Sequence, residues 1–327
     1  MAHAIFRAIT RGDLKAYRAL IEADPALVNA VAMLPASGPR AARRLQTTPL
    51  HKALGEFKFY ARHDPRRANH LEIAADLIER GAQPEERGSQ LHVPAAQSAA
   101  LAGNLPGYRL VQSRGSLLES ACAGDIDAVS RAARSEIDQP DLNGLTPLML
   151  CSASRLGTDD ATAAQLVATA TELLAGGADP HRFWPGCFGS RESHLLPTSF
   201  AAMGNAAVLR VLLDHKAPIT LAASPGANGN ALAHATWSRS AECVSILLEH
   251  IAGGADATEG YTPIHWIART NLPADAVEFV RFVASKRFVD PDALDASGER
   301  ASTVAEREGH RELAKAMANL EKSAPRH

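Results

Sequence analysis

Residues 141–153 read DLNGLTPLMLCSA, and this stretch decides the fold because variants of it recur along the chain. Related stretches lie at 257–270 (ATEGYTPIHWIART) and at 46–56 (QTTPLHKALGE). A weaker variant, DASGERASTVAEREGHRELAKAM, begins at Asp295. Most copies share a glycine-containing turn, a Thr-Pro pair followed by an apolar residue, and a short alanine-containing segment. Such recurrence predicts stacked copies of one supersecondary unit.

The residue types in these stretches predict pairs of helices. A threonine hydroxyl caps the first helix, and proline at the first helical position loses no needed N–H group. A second set of segments begins with Gly-Asp or Gly-Asn at Gly12, Gly124 and Gly204, and each continues with apolar residues at helical spacing. Small alanines let the two helices of a pair approach closely. One pair cannot bury its apolar face alone, so neighbouring pairs must stack.

These motifs resemble those of ankyrin repeat proteins over most of the chain. The resemblance implies an all-α solenoid of about seven or eight helix-turn-helix units joined by β-hairpin or extended fingers. It also implies a concave binding surface formed by the finger tips and the exposed side of the first helices. The matching residues are Thr48-Pro49-Leu50-His51, Thr146-Pro147-Leu148 and Thr262-Pro263-Ile264-His265 at helix starts, and Gly177-Ala178-Asp179 and Gly254-Ala255-Asp256 at helix ends.

The repeat cadence is irregular, which suggests how the chain is divided. We expect N-terminal units with a capping first repeat at 1–84, a degenerate unit or kink at 85–115, C-terminal units with a capping last repeat at 116–323, and a flexible tail at 324–327. Capping units need a polar outer face, and the last segment is charged throughout. Residues 181–196 (HRFWPGCFGSRESHLL) predict an unusually long finger.

Composition narrows the class of protein. The 327 residues are 46% hydrophobic and 21% charged, the balance of a folded protein. The formal net charge of −2 argues against a dedicated nucleic-acid binder, although the arginines between Arg40 and Arg67 leave a phosphate-binding patch as a weaker alternative. The four cysteines lack CxxC spacing, which indicates free thiols in a reducing compartment. Without an apolar stretch long enough for a membrane span, we expect a cytoplasmic protein.

No motif with convincing catalytic spacing is present, so the sequence favours a non-enzymatic protein without a cofactor. Three potential zinc ligands, His181, Cys187 and His194, lie in the long finger. Their spacing is not that of paired zinc ligands and a fourth ligand is missing, so we predict no metal site there. His51 and His265 occupy the motif position where, in the family, the imidazole bonds to the backbone of the adjacent turn. Cys122, Cys151 and Cys243 are expected to be buried thiols.

Another protein is therefore the expected partner. The resemblance places finger and first-helix positions around Thr146 at Leu142, Asn143 and Leu145. Aromatic residues and arginines carry most interface energy, and they are concentrated in the C-terminal half. Trp266, inside a helix, is better explained as a core residue. The predicted partner-binding residues are Arg44, Asn143, Leu145, Phe183, Trp184, Trp237, Arg239, Tyr261 and Arg269.

Two functions remain open from the sequence. The first is a protein–protein interaction scaffold that binds its partner through the concave surface, as an inhibitor or immunity-type partner in its sharper form. The alternative is a small-ligand-binding protein or enzyme whose pocket is formed by the finger at 181–196 and the repeats that follow.

Overall fold

The computed structural model describes residues 2–33, 46–55, 67–89, 91–113, 116–157, 159–188, 191–220, 231–252, 263–268, 276–285, 289–295 and 297–323. These residues form two compact units. The first, unit 1, comprises Met1–Asp179 and Trp184–Ser193, and the second, unit 2, comprises Pro180–Phe183 and His194–His327.

Helices dominate both units, and they come in consecutive pairs. In unit 1 the helices are α1 (Ala2–Arg11), α2 (Leu14–Ala23), α3 (Pro49–Leu54), α4 (Arg67–Glu79), α5 (Ala95–Leu101), α6 (Leu105–Val111), α7 (Leu117–Ala123), α8 (Ile126–Arg131), α9 (Pro147–Ala153) and α10 (Asp160–Ala175). In unit 2 they are α11 (Pro197–Ala202), α12 (Ala206–Asp214), α13 (Ala231–Trp237), α14 (Ala241–Ala252), α15 (Pro263–Ala268), α16 (Ala276–Ala284), α17 (Ala301–Arg307) and α18 (Arg311–Ser323).

Short strands occur only between pairs in the described part of the chain. Strand β1 (Ala32–Met33) pairs antiparallel with β2 (Gln46–Thr47), with Ala32 opposite Thr47. Strand β3 (Trp184–Phe188) pairs with β4 (Arg191–Leu195), so the long finger predicted at 181–196 contains a two-stranded sheet. A 3₁₀ turn at Pro25–Asn29 follows α2.

Each unit is a stack in which first helices contact the first helices of neighbouring pairs, and most second helices contact second helices in the same way. In unit 1, α3 lies between α1 and α5, and α7 lies between α5 and α9; in unit 2, α13, α15 and α17 follow α11 in the same way. This is the all-α repeat solenoid predicted from the sequence. The described residues contain nine helix pairs, slightly more than the expected seven or eight.

The predicted capping residues explain where the helices begin. The Thr48 and Thr146 hydroxyl groups accept hydrogen bonds from the backbone N–H groups of His51 and Met149, both at 3.3 Å, with proline at the first helical position. Second helices start with a different cap. The side chains of Asp13, Asn104, Asp125 and Asn205 accept from backbone N–H groups three residues later. The Gly-Asp/Asn pattern therefore marks the turn inside each of these pairs.

First helices are deeply buried because both faces pack. Every residue of α5, α9 and α11 is buried, and alanine or serine supplies many of these positions. Cys122, Cys151 and Cys243 are buried free thiols, as predicted. Burial raises the pKa of the Cys151 thiol to about 12 and that of Cys122 further still, with smaller contributions to Cys122 from Cys151 and Glu119. Small side chains thus fill the space between closely spaced helices.

A buried tyrosine connects the first two pairs. The Tyr17 hydroxyl of α2 donates a 2.6 Å hydrogen bond to Asp76 of α4, and Arg80 donates to the same carboxylate oxygen at 2.7 Å. Burial alone would raise the pKa of Asp76, but the hydrogen bonds from Arg80 and Tyr17 outweigh it and lower that pKa. For Tyr17, burial and the hydrogen bond to Asp76 raise the pKa. The exposed Arg18–Glu72 ion pair lies beside this contact.

The segment after α9 reaches back to the third helix pair. The Arg155 backbone N–H donates a 3.0 Å hydrogen bond to the Ala100 carbonyl at the end of α5, although α7 lies between α5 and α9 in the stack. A Cβ atom on Gly103 would lie 2.9 Å from the Arg155 carbonyl oxygen. The segment at 154–157 is therefore packed and joins pairs three and five.

Residues 85–115 contain a real helix pair, α5 with α6, packed against α3 and α7. The connection from α6 to α7 spans only Gln112–Ser116, the shortest between consecutive described pairs. The division at 1–84, 85–115 and 116–323 and the presence of a kink stay predictions, and the tail at 324–327 lies outside the described residues. Among the described residues, no helix has the length and apolar character that a bilayer crossing requires.

Candidate functional site

The connections between helix pairs, here called fingers and numbered by the pair they follow, carry the candidate site. Finger 2 spans residues 80–94, finger 4 spans 132–146 and finger 5 spans 176–196. In finger 2, Gly88 and Val93 exchange two backbone hydrogen bonds, each of 2.9 Å. Finger 4 ends in a tight turn at 141–145, directly before α9.

The Asp141 side chain organises the turn of finger 4. Its Oδ1 atom accepts hydrogen bonds from the backbone N–H groups of Asn143 at 2.8 Å and Leu145 at 3.0 Å. The Asp141 N–H donates to the Leu145 carbonyl at 2.8 Å, and the Gly144 N–H donates to the Asp141 carbonyl at 3.0 Å. Gly144 has a φ of +87°, a conformation that glycine adopts without a steric penalty. The turn therefore has one well-defined shape.

Finger 2 holds this turn from one side. Arg87 donates a 2.7 Å hydrogen bond to the second carboxylate oxygen of Asp141, whose side chain is only 4% exposed, while that of Arg87 is 28% exposed. The Asn143 side-chain amide donates to the His92 carbonyl at 3.0 Å. These contacts join fingers 2 and 4 directly because the short α6–α7 connection places no finger between them.

Finger 5 holds the turn from the other side. The indole N–H of Trp184 donates a 3.1 Å hydrogen bond to the Asn143 carbonyl, and the Trp184 side chain is buried, with 5% exposed. A Cβ atom on Gly144 would lie 3.3 Å from the Pro185 ring. Residues 141–145 thus connect finger 2 with the part of finger 5 that contains Trp184 and Pro185, all within unit 1.

Leu142 is the residue that this arrangement presents to solvent. Its side chain is 86% exposed, the largest value among the exposed large hydrophobic side chains of the described residues. Five of those six side chains lie between helix pairs, and only Leu110 lies on a helix, so the exposed apolar surface is concentrated on the fingers. The five are Val31, Met33, Leu142, Phe183 and Leu294.

The predicted partner-binding residues have different positions in the structure. Phe183 is exposed and packs edge-to-face on His194, with ring centroids 4.9 Å apart. Asn143 and Trp184 support the turn, and Leu145 is fully buried, so it packs inside the protein instead of facing a partner. Arg239 is half-buried after α13.

The remaining predicted residues lie outside the described residues. They are Arg44, Tyr261, Arg269 and the side chain of Trp237. The same is true of the Trp266 side chain and of Arg40, Arg43, Arg62 and Arg66.

Sequence reasoning missed the residues that shape the surface. Leu142 has a finger position in the motif, but a preference for aromatic residues and arginines at interfaces does not select it. The sequence does not single out Arg87, because its partner Asp141 lies 54 positions away. A usable signal was present in the sequence: Asp-x-x-Gly occurs both at Asp141 and at Asp295. At Asp295 the carboxylate again accepts from the N–H groups two and four residues later, at 2.8 and 2.9 Å.

The candidate metal ligands and the motif histidines have different outcomes. Among the described residues, no group of three or more His, Cys, Asp or Glu side chains is arranged to hold a metal ion. The Cys187 side chain lies outside them, so the prediction for His181, Cys187 and His194 stays untested, as does a ligand pocket at 181–196.

His51 and His265 have the predicted structural contacts: their Nε2 atoms lie 2.9 Å from the carbonyl oxygens of Val93 and Glu299, in the next fingers.

Comparisons with known proteins give fold neighbours only. No protein-family model and no curated protein matches the chain. The human ASB11 ankyrin repeat domain is similar over 86% of this chain and 100% of its own, with 17% identity and a TM-score of 0.39. The ankyrin repeat protein EF0377 is similar over 63% of this chain and 98% of its own, with 23% identity and a TM-score of 0.39. At these scores the similarities do not bear on what this chain binds.

Proposed function

We propose that this chain is an ankyrin-type scaffold that binds another protein through its fingers and has no catalytic role. The observation that carries the proposal is the exposed Leu142 side chain on a turn fixed by neighbouring fingers. A large aliphatic side chain in water contributes nothing to the stability of its own chain. It contributes about 1.5–3 kcal/mol when a partner buries it fully.

The rigidity of the turn strengthens this interpretation. Binding normally costs free energy because loops and side chains must be ordered at the interface. The backbone of residues 141–145 is already ordered in the folded protein, because Asp141 and contacts from fingers 2 and 5 fix it. Binding a partner therefore does not have to order this loop. A fixed apolar tip suits insertion into a preformed pocket on a folded protein, which is the geometry of an inhibitor-type interaction.

The other exposed large hydrophobic side chains lie between helix pairs in each unit. Val31 and Met33 lie in the connection between the first two pairs of unit 1, and Phe183 and Leu294 lie in connections that belong to unit 2. Interfaces are enriched in such residues, whereas scattered single ones are ordinary on a protein surface. Their concentration between helix pairs favours binding through the fingers. The contributions of Arg44, Trp237, Tyr261 and Arg269 stay predictions.

Affinity purification of the intact protein from its own host, followed by mass spectrometry, tests the proposal when finger variants are included. We expect a protein recovered with the wild type to be lost by at least about tenfold with Leu142→Asp, the size of a hot-spot effect. Leu110→Asp is the matched control, because Leu110 is also exposed but lies on α6. It should recover the partner normally.

Two outcomes would overturn the proposal. One is a partner recovered equally by the wild type and by the Leu142→Asp variant. The other is equal loss in the Leu142→Asp and Leu110→Asp variants, which would indicate nonspecific adhesion to apolar surface. Circular dichroism of both variants checks that the fold is kept.

A further inference from the structure

An open cleft of about 530 Å³ lies beside the fourth helix pair, in unit 1. Its wall consists of the first residues of α7, the end of α8, residues 132–140 of finger 4 and Pro147 at the start of α9. The cleft lies next to the short α6–α7 connection, where a finger of ordinary length is missing. It is a separate feature from the exposed tip at Leu142, which does not line it.

The cleft wall carries one cationic and one acidic side chain, Arg131 and Glu136. Arg131 at the end of α8 is exposed and makes no hydrogen bond or ion pair with any described residue. Glu136, the acidic group in the cleft wall, turns its carboxylate to the backbone N–H of Ala133 at 3.1 Å. The guanidinium group therefore has no partner among the described residues, whereas one of the two carboxylate oxygens of Glu136 accepts a hydrogen bond from its own turn.

Neutral polar groups beside Arg131 add hydrogen-bond donors. Ser116 accepts a hydrogen bond from the Glu119 N–H at 3.2 Å, which leaves its own hydroxyl proton available. The Ser120 hydroxyl and the Gln139 amide also line the cleft and have no side-chain hydrogen bond within the described residues. A carboxylate accepts such bonds from several donors at once, whereas a cationic ligand would meet the unpaired Arg131.

The rest of the wall is apolar. Leu117, Leu118, Pro140 and Pro147 line it. Rings and branched chains of this kind bury an aliphatic side chain but offer it no hydrogen bond. A ligand that fits the whole cleft therefore combines one carboxylate with an adjacent apolar group.

We infer that this cleft is a second contact site for the protein partner and that it receives an acidic side chain with an apolar neighbour, such as a Leu-Glu pair in an extended segment. The inference rests on the proposed function, because it assumes a protein partner. It adds a chemical requirement that the Leu142 tip does not impose. Arg131 binds the carboxylate, and the leucines and prolines pack on the apolar side chain.

Peptide titration followed by two-dimensional NMR on the intact, isotopically labelled protein tests the site without the natural partner. The probe is acetyl-Ala-Leu-Glu-Ala-amide, and the matched probe replaces Glu by Gln. We expect the Glu peptide to shift the backbone amide signals of Leu117, Leu118 and Ala132. The Gln peptide should bind about fivefold more weakly, as should the Glu peptide to Arg131→Gln, the loss expected for one partly exposed ion pair.

Arg134→Gln is the control variant, because Arg134 is exposed nearby but does not line the cleft. It should bind the Glu peptide as the wild type does. The inference is overturned if the two peptides bind equally, if Arg131→Gln and Arg134→Gln behave alike, or if the shifts lie elsewhere. These outcomes leave the Leu142 capture experiment unaffected, so failure of the cleft and failure of the proposed function can be told apart.

Discussion

Asp141 shows how a single side chain fixes a surface. One of its carboxylate oxygens accepts two backbone N–H groups and thereby shapes the turn, while the other is paired with Arg87 from a different finger. Because the carboxylate is almost fully buried, removing its cationic partner leaves a charge with poor compensation. The exposed leucine at the tip therefore depends on an arginine far away in sequence.

A double-mutant cycle with Arg87→Met and Asp141→Asn should measure this dependence. We expect a coupling of about 1–2 kcal/mol in the free energy of unfolding, since the pair is partly buried and hydrogen-bonded. Urea denaturation of the four proteins provides the measurement. The Arg210–Glu242 pair, with side chains 56% and 63% exposed, is the matched control and should show less than about 0.5 kcal/mol. Additive effects at Arg87 and Asp141 would contradict the expectation.

Tyr17→Phe should destabilise the protein in a pH-dependent way. The folded pKa of Asp76 is lowered, so the stability from its ionised form is present above the ordinary aspartate pKa and is lost as pH falls through the folded value. Removing the Tyr17 hydroxyl should cost about 1–2 kcal/mol at pH 7. The cost should begin to shrink below about pH 4, the ordinary aspartate pKa, and should disappear as pH falls through the lowered pKa of folded Asp76.

Denaturant titrations at several pH values provide the measurement. Tyr108→Phe is the control: Tyr108 is also buried, but its hydroxyl has no hydrogen bond to a described residue. We expect it to cost no more than about 0.5 kcal/mol and to show no pH dependence across this range. A Tyr17→Phe effect that stays constant from neutral to acid pH would contradict the assignment.

Local residue roles could be predicted from the sequence, and distant pairings could not. Thr48 and Thr146 cap their helices as expected, because a cap involves only the next three residues. Arg87–Asp141 and Tyr17–Asp76 depend on which pairs stack and at what offset. For Leu145, the motif position indicated a finger residue, but it did not indicate that packing buries the side chain.

At the scale of elements, the segment at 154–157 makes the stack more than a series of nearest-neighbour contacts. Its hydrogen bond to the Ala100 carbonyl joins the fifth pair to the third. The sequence does not indicate the path of this segment, because that path is set by the surface the segment meets and has no local signature. The close approach of Gly103 to this segment is the feature that a substitution can probe.

Gly103→Ala should destabilise the protein more than Gly81→Ala. Both glycines have positive φ, +70° and +90°, so each substitution carries a similar backbone penalty of about 1–2 kcal/mol. At Gly81 a Cβ atom would meet nothing within 4 Å, whereas at Gly103 it would meet the Arg155 carbonyl at 2.9 Å. We expect an additional cost of about 1–3 kcal/mol at Gly103 from overpacking.

Thermal or urea unfolding of the two variants checks this difference. Equal destabilisation would mean that the contact between pairs three and five contributes little. Partial loss of hydrogen-exchange protection at the Arg155 amide, which donates to the Ala100 carbonyl, would locate the effect of Gly103→Ala in this contact.

At the scale of the whole molecule, the repeat pattern predicted the all-α solenoid, whereas the division at 1–84, 85–115 and 116–323 stays a prediction. Turn chemistry and helical spacing repeat in every unit and are therefore visible in the sequence. The two compact units differ in which contacts they make, and such contacts have no motif. Unit 1 contains Trp184, while the other two tryptophans, Trp237 and Trp266, lie in unit 2.

This distribution of tryptophans allows each unit to be followed separately. Since contacts in a repeat protein are made mainly between neighbours, we expect the two units to unfold at different urea concentrations. The Trp237→Phe, Trp266→Phe double variant reports unit 1 by fluorescence, and Trp184→Phe reports unit 2. The circular dichroism signal of each variant follows the unfolding of both units. Coincident transitions for all probes would show one cooperative unit instead.

The short α6–α7 connection has a consequence for how this array can be altered. In a regular repeat protein, one module can be deleted and the flanking modules still meet through equivalent surfaces. Here finger 2 binds finger 4 across the third and fourth pairs, and the segment after α9 reaches back to α5. Pairs two to five are interlocked, so this part of the chain can be lengthened or shortened only as one block.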